Sequence, residues 1–302
     1  MKLQLIVNPK ASAVTPGKCA AVKEALQDHD VTVVETLYRG HAMDLAREGV
    51  NAGCQVVVVL GGDGTLNEAA NGLAGSDVAM ACLPGGSTNV YARTLGWSRK
   101  VKGALRQLGP ALERPPRRVG LGLVNGRYFL FHVGMGFDAA VVAQVEKRPQ
   151  LKRTIGQGVF VYAAFATWLR HFDRTRPNII VRDGETTILD DGYFAVCLKT
   201  NPYTYFGIRP LCLAPDAGLD TPLAMVTLRT LKLGSTLSLV GSAIGSGRKL
   251  RNHPQVDYRS DVTAITVVGH RPVPYQADGD YLGDSEQLTF THEADRLLLV
   301  MP

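Results

Sequence analysis

Apolar positions along the first 110 residues fall in blocks whose spacing alternates between two periods. Residues 3–7 are nearly all apolar. Residues 17–29 carry Ala21, Val22, Ala25 and Leu26 at helical spacing, and residues 31–35 are rich in β-branched side chains. A helix over 41–52, a strand over 55–60, a helix over 65–73, a strand over 78–83 and a helix over 87–95 continue the series. Strands that are apolar throughout and separated by helices predict a parallel sheet covered on both faces. The pattern changes near Arg114-Pro115-Pro116-Arg117-Arg118, which reads as a linker. Beyond it, 119–124 and 127–133 flank Asn125-Gly126, a hairpin-turn pair. Short strands follow at 178–182, 192–198, 224–228, 262–268 and 287–291, interrupted by one long helical stretch over 151–172. The expected fold class is α/β, with a Rossmann-like parallel-sheet lobe over 1–118 and an antiparallel β-sandwich lobe over 119–292. Residues 293–302 are expected to pack back onto the first lobe.

The chain has 302 residues, two domains' worth at ~100–200 residues each. Hydrophobic residues make up 45% and charged residues 20%, which excludes a disordered chain and a disulfide scaffold. No apolar run approaches the ~18–20 residues of a bilayer crossing. The opening residues read as a first strand rather than a signal peptide. Cys19, Cys54, Cys82, Cys197 and Cys212 are odd in number and never spaced Cys-x-x-Cys. That argues for reduced thiols in a cytoplasm, and against both disulfides and zinc. The net charge of +6 favours anionic partners such as nucleotide phosphates or an acidic membrane face.

Candidate chemistry concentrates in two glycine turns. At residues 56–73 a buried strand ends in Gly61-Gly62-Asp63-Gly64 and a helix begins. Glycine lets backbone N–H groups approach a phosphate, and the helix N-terminus adds donors and a favourable dipole. Asp63 would repel a phosphate unless it held a cation or accepted a proton. The structural alternative is a capping box made by Thr65 and Glu68; it explains neither the glycines nor Asp63. A second turn, Pro84-Gly85-Gly86-Ser87-Thr88-Asn89, repeats the design, with Ser87 and Thr88 as alternative helix caps. In an open parallel sheet two such turns lie side by side at the strands' carboxyl ends, where ligands bind. A polyphosphate is the expected occupant.

Gly61-Gly62-Asp63-Gly64-Thr65 with Asn67-Glu68, then Pro84-Gly85-Gly86-Ser87-Thr88-Asn89 and Ala92-Arg93, resemble the diacylglycerol kinase catalytic family. The likeness continues through Asn8-Pro9, Thr36, Gly40-His41-Ala42, Gly134-Met135-Gly136-Phe137-Asp138, Ala214-Pro215-Asp216-Ala217 and Asp278-Gly279-Asp280. The first turn alone is shared with NAD kinases and phosphofructokinases. The resemblance implies a nucleotide-binding lobe and a sandwich lobe, with ATP and lipid meeting between them. It implies that Asn8, Thr36, the turn from Gly61 to Asn67, Glu68, Gly86, Ser87 and Thr88 bind ATP, with Mg²⁺ on the phosphates near Asp63. The family's Asp-Gly-Glu motif, which supplies the proton acceptor for the lipid hydroxyl, matches Asp278-Gly279-Asp280 and leaves Asp280 and Asp278 both as candidates. Read from the residues alone, the same three are a hairpin turn. Family members usually carry two adjacent acids and a glycine after Ala-Pro-Asp-Ala, where a structural Mg²⁺ links the lobes. This chain has Asp220-Thr221-Pro222, which weakens or removes that site and leaves Asp216 and Asp220 as its candidate ligands.

The implied activity is transfer of the ATP γ-phosphoryl to a lipid hydroxyl, with diacylglycerol giving phosphatidic acid. The rivals are an NAD kinase-type enzyme and a catalytically inactive lipid or nucleotide sensor. Basic clusters at Lys147-Arg148 with Lys152-Arg153, at 170–176, and at Arg248-Lys249-Arg251 are either solvated surface or a peripheral contact with an anionic inner leaflet. Val159, Phe160, Tyr162, Phe165, Trp168 and Leu169 are either core or interfacial. Nucleic acid is not an expected partner, because aromatic and basic residues do not interleave. Exposed sandwich edges leave a homodimer open.

Overall fold

The computed structural model describes residues 1–137, 139, 140, 142 and 176–302. The helix expected over 151–172, the clusters at Lys147-Arg148 and Lys152-Arg153, most of the 170–176 cluster and Asp138 lie outside the described residues. The chain divides into two compact units, Met1–Leu121 with Ala294–Pro302, and Gly122–Glu293.

In the first unit, β1 (Lys2–Val7), β2 (Asp30–Glu35), β3 (Val56–Gly61) and β4 (Ala79–Pro84) run parallel in the order β2-β1-β3-β4. Leu298 and Leu299, near the end of the last strand, extend this order by pairing in parallel with Ala79 and Met80. β3 and β4 are buried at every position, as strands sandwiched between helices must be. The helices are α1 (Pro16–Ala25), α2 (His41–Asn51), α3 (Asp63–Leu73), α4 (Val90–Thr94) and α5 (Val101–Leu112). Each has a local cause. α2 turns Ala42, Leu45, Ala46 and Gly49 inward. Where α2 meets α3, a Cβ at Gly72 would collide with the Met43 carbonyl, so glycine there sets how closely the two helices approach. α5 was not expected from the pattern. Its apolar stripe of Val101, Ala104, Leu108, Ala111 and Leu112 is regular, but Gly109 and Pro110 near its end read as punctuation. The order of strands reverses direction between β1 and β3, a topological switch point whose carboxyl side is the usual ligand crevice of such sheets.

The second unit is antiparallel and strand-rich. β5 (Arg117–Val124), which begins in the first unit, and β6 (Arg127–Phe129) form a hairpin whose two turn residues, Asn125 and Gly126, both have positive φ (44° and 83°). That is the turn the dipeptide signalled. β7 (His132–Gly136), β8 (Ile179–Asp183), β9 (Thr186–Gly192), β10 (Phe194–Leu198), β11 (Thr204–Phe206), β12 (Arg209–Leu211), β13 (Leu223–Leu228), α6 (Leu233–Ile244), β14 (Val256–Val262), β15 (Ala264–Ala277) and β16 (Asp280–Leu299) complete the described chain. β15 pairs with β8 through Thr266–Gly269 and with β7 through Tyr275–Ala277, with a register shift between Val268 and Val273. A long strand that changes partners across an irregularity bends the sheet over itself. One core then gathers Met135, Ile179, Val181, Cys197, Met225, Val267 and Phe290 from both halves.

Candidate functional site

The ends of β1, β3 and β4 meet through backbone. Gly85 N–H donates to the Gly61 carbonyl at 2.8 Å. A Cβ on Gly85 would stand 2.8 Å from Gly61 backbone, and one on Gly86 would stand 2.8 Å from Gly62 Cα. Both are closer than real Cβ contacts allow. The two turns therefore lie side by side as expected, and Gly85 and Gly86 are required first by this packing. Gly61 faces Thr65, whose Cβ lies 2.6 Å from where a Gly61 Cβ would be.

The side chains of the first turn are largely committed to holding it. Helix α3 starts at Asp63, two residues before the expected start, with Gly62 at its cap and no side-chain capping bond. The Thr65–Glu68 capping box is therefore not formed. Thr65 Oγ1 instead accepts from Asn8 Nδ2 at 2.8 Å, tying β1 to α3. Glu68 accepts from the N–H of Gly40 (2.8 Å) and Ala42 (3.3 Å), so it caps α2. Asn67 is fully buried and accepts from Asn71 at its carbonyl (2.9 Å). Thr36 is buried at the end of β2, its N–H donating to the Val7 carbonyl at 2.9 Å.

Asp63 is also a capping residue. Its two carboxylate oxygens accept from the N–H of Val90 (3.0 Å) and Tyr91 (2.9 Å), the first residues of α4. Burial pushes its carboxyl pKa above the usual range, opposed by those donors and by Arg93. The carboxylate expected near Mg²⁺ is thus given to a helix N-terminus, where charge and dipole agree. Asn89, left-handed at φ 51°, closes the second turn by accepting from Gly86 N–H (2.7 Å) and donating to the Gly86 carbonyl (2.8 Å). Ser87 and Thr88 therefore do not cap α4; the Thr88 carbonyl accepts from Arg93 Nη1 at 3.4 Å, and neither hydroxyl is spent on the scaffold.

They open instead onto a cleft of about 690 Å³, lined by Ser12, Gly86, Ser87, Thr88, Arg99 and Lys100 among others. Arg99 and Lys100 are exposed cations that sequence reading passed over. Their signal is a basic pair a few residues beyond the helix that the second glycine turn starts. Among the described residues, no group of three or more His, Cys, Asp or Glu is arranged to hold a metal.

The late aspartates part company. Asp278 and Gly279 are the two turn residues between β15 and β16, at φ 50° and 87°, and Ala277 pairs with Asp280 across them. Asp278 is 3% exposed. Its Oδ2 accepts from Leu130 N–H at 2.6 Å, and its Oδ1 from Phe131 and His132 N–H at 3.0 and 3.1 Å. Its own N–H returns to the His132 carbonyl at 2.9 Å. Asp278 is thus a buried anchor for residues 130–132. Asp280 is half-exposed and lies 3.6 Å from Arg127 Nη2. Beside the anchor, His132 is buried against Tyr203, with ring centroids 4.2 Å apart. Burial lowers its pKa to about 3, so the ring is neutral at ordinary pH.

In the loop of the candidate metal ligands, Asp216 accepts from Tyr258 OH at 2.7 Å and is ion-paired with Arg251. Burial, with that carboxylate's help, pushes the Tyr258 pKa up to about 12. Asp220 is exposed. Lys199 is buried behind this loop; burial lowers its pKa to about 8, with Asp220 opposing the shift, and it remains an ammonium at neutral pH. Cys54, Cys82 and Cys197 are buried free thiols.

Residues 2–123 match the model of the diacylglycerol kinase catalytic domain. A lipid kinase YegS-like protein of Chromohalobacter salexigens is 35% identical over 160 residues, 52% of this chain and 50% of that protein. The diacylglycerol kinase of Bacillus subtilis strain 168 is 27% identical over 259 residues, 84% of this chain and 80% of that protein. A crystal structure of a diacylglycerol kinase from Bacillus anthracis str. Sterne overlays with a TM-score of 0.64 at 17% identity, covering 100% of this chain and 97% of the other. An NAD kinase from Archaeoglobus fulgidus, crystallised with ATP, overlays at 0.55 and 10% identity, covering 99% and 93%. The overlays establish the shared α/β fold, and no described helix is long and apolar enough to cross a membrane. The family's two glycine turns interlock in the first unit, and it is this unit that matches the sequence model of the diacylglycerol kinase catalytic domain, over residues 2–123.

Proposed function

We propose that this protein is an ATP-dependent lipid kinase whose acceptor is the hydroxyl of diacylglycerol, giving phosphatidic acid and ADP. The observation that carries the reading is the pair of glycine turns locked backbone to backbone beside a cleft lined by two uncommitted hydroxyls and two cations. Phosphoryl transfer asks chiefly for positioning and charge stabilisation, and this region is built for both. Asn8, the Gly61–Gly62 backbone, Ser87, Thr88, Arg99 and Lys100 are the residues we assign to the nucleotide. Asp63, Thr65, Glu68 and Asn67 position the turns through the bonds described above. Mg²⁺ would enter with the triphosphate and neutralise its charge; a cation that keeps most of its water and binds through phosphates needs few protein ligands.

In the reaction the lipid hydroxyl oxygen bonds to the γ-phosphorus, the bond to the β-phosphate oxygen breaks, and the hydroxyl proton passes to a carboxylate. Asp280 is our choice for that acceptor, because Asp278 has no oxygen to spare from three backbone donors. Arg127 beside it holds the carboxylate's orientation. The exposed Arg248 and Lys249 would favour an anionic bilayer surface, where such a substrate resides.

The test is incubation with γ-labelled ATP and a panel of diacylglycerol, ceramide, sphingosine and monoacylglycerol micelles, with NAD in a parallel arm. Labelled phosphatidic acid identified by mass supports the reading. Labelled NADP replaces it with the NAD kinase rival, and nucleotide binding without any product replaces it with the sensor.

A further inference from the structure

The loop between β12 and β13 is where the family resemblance puts a structural Mg²⁺ site, one that Thr221 weakens or removes and for which Asp216 and Asp220 are the candidate ligands. A hard divalent cation takes six or more oxygens, and carboxylates provide its charge balance. Here Asp216 is engaged by Arg251 and Tyr258, and Thr221 stands where a second acid is usual. Thr221 Oγ1 accepts from Gly218 N–H at 2.9 Å and donates to the Asp216 carbonyl at 3.1 Å, drawing the loop closed. The carbonyls this loop turns inward already have a partner. Those of Gly218, Leu219 and Thr221 lie 2.8, 3.1 and 2.9 Å from Lys199 Nζ. Lys199 is 1% exposed. A lysine ammonium has three N–H donors and no acceptor; three convergent carbonyls consume all of them. The residues present therefore do not fit a metal, because the chain's own cation fills the carbonyl cage.

We propose that Lys199 is a tethered cation that replaces a bound metal ion in this loop, gathering the carbonyls of 218, 219 and 221 beside the Asp220 carboxylate. A covalently held charge cannot be lost to a chelator or to dilution, so the order of residues 216–222 becomes independent of divalent ions. The position that makes this possible is the first residue after β10, where the side chain leaves a core strand and reaches under the loop.

The test uses the nucleotide-free full chain, melted in EDTA and in MgCl₂, with MnCl₂ titrated calorimetrically as the metal probe. The proposal expects equal melting temperatures in the two buffers and no Mn²⁺ binding that Asp220→Asn abolishes. Lys199→Ala should melt several degrees lower in EDTA. It should recover part of that loss with propylammonium, the fragment removed, but not with propanol. A wild-type melting temperature that climbs saturably with Mg²⁺ and loses the response in Asp220→Asn overturns the proposal. So does a Lys199→Ala chain that melts like wild type, or one rescued equally by propanol, which would mark the side chain as packing alone. Should Lys199→Ala fail to fold, the wild-type and Asp220→Asn arms decide the matter by themselves.

Discussion

Two neighbouring aspartates with opposite fates give the sharpest test. Replacing Asp278 by Asn keeps the shape of a side chain that accepts three backbone N–H groups. If the amide oxygen takes the Oδ1 position it retains Phe131 and His132, but the amide NH₂ then faces Leu130 N–H, which bonds Oδ2 at 2.6 Å in the parent. One buried donor loses its partner, at about 1–3 kcal/mol, and two bonds lose their charge assistance, at roughly 1 kcal/mol each. The sum is about 3–5 kcal/mol, and at roughly 2–4 °C per kcal/mol for a unit of this size the melting temperature should fall by about 10 °C. Asp280→Asn touches only a partly exposed ion pair with Arg127, worth at most about 1 kcal/mol. Its fold should survive, while kcat should drop roughly 10²–10⁴-fold if the carboxylate accepts the hydroxyl proton.

Thermal melts followed by fluorescence, and lipid phosphorylation at saturating ATP, separate the two effects. The expected pattern is an unstable Asp278→Asn that is active in proportion to its folded fraction, and a stable Asp280→Asn without turnover. A well-folded, inactive Asp278→Asn beside an active Asp280→Asn would refute the division of labour.

Five further outcomes follow from the same geometry. Asp63→Ala removes the cap from Val90 and Tyr91, so it should cost about 1–2 kcal/mol in chemical denaturation and raise the KM for ATP as the second turn loosens. Gly85→Ala forces a Cβ to within 2.8 Å of Gly61 backbone and should destabilise by roughly 1–3 kcal/mol. Gly109→Ala, helical with nothing within 4 Å, should stabilise by about 0.5–1 kcal/mol in the same assay. Arg99→Ala with Lys100→Ala should weaken ATP binding about tenfold or more in a calorimetric titration, with little change in melting temperature. His132 titrates near 3 when folded and near 6.5 when unfolded. The unfolded chain therefore binds the extra proton between those values, and stability falls as pH drops through that window. His132→Phe should flatten this acid limb of a denaturation–pH profile.

The parallel sheet was legible because its strands obey one rule, apolar at every position, and the helices between them another. Val56 to Leu60 and Ala79 to Leu83 are buried along their whole length, so nothing in the surroundings had to override the pattern. The Asn125-Gly126 turn was legible for the same reason: its conformation is decided locally by two residues with positive φ. What escaped was decided elsewhere in the chain. α5 carries Gly109 and Pro110 inside its last turn, and only packing against the rest of the unit overrides their propensity to end it. β9, β11, β12 and β14 are half-exposed, so their alternation is shallow and their place is set by partners.

The site divides along the same line. Glycines and acids drew attention because phosphate chemistry uses them, and most of those side chains turn out to hold backbone. Asp63 caps α4, Glu68 caps α2, and Asp278 anchors residues 130–132. Each of these bonds spans at least 26 residues of chain, so no local window could contain both partners. A turn that must present bare N–H groups cannot satisfy them from within, and so its shape has to be imposed by charged acceptors and donors from neighbouring elements. The groups left over in the first unit when that framework is subtracted, Ser87, Thr88, Arg99 and Lys100, are few, exposed or half-exposed, and chemically suited to a triphosphate. Lys199 extends the logic to the loop between β12 and β13, where a carbonyl cage is closed by a side chain of the chain itself. In each case the fold uses charge to fix backbone, and reserves for chemistry only what the backbone does not need.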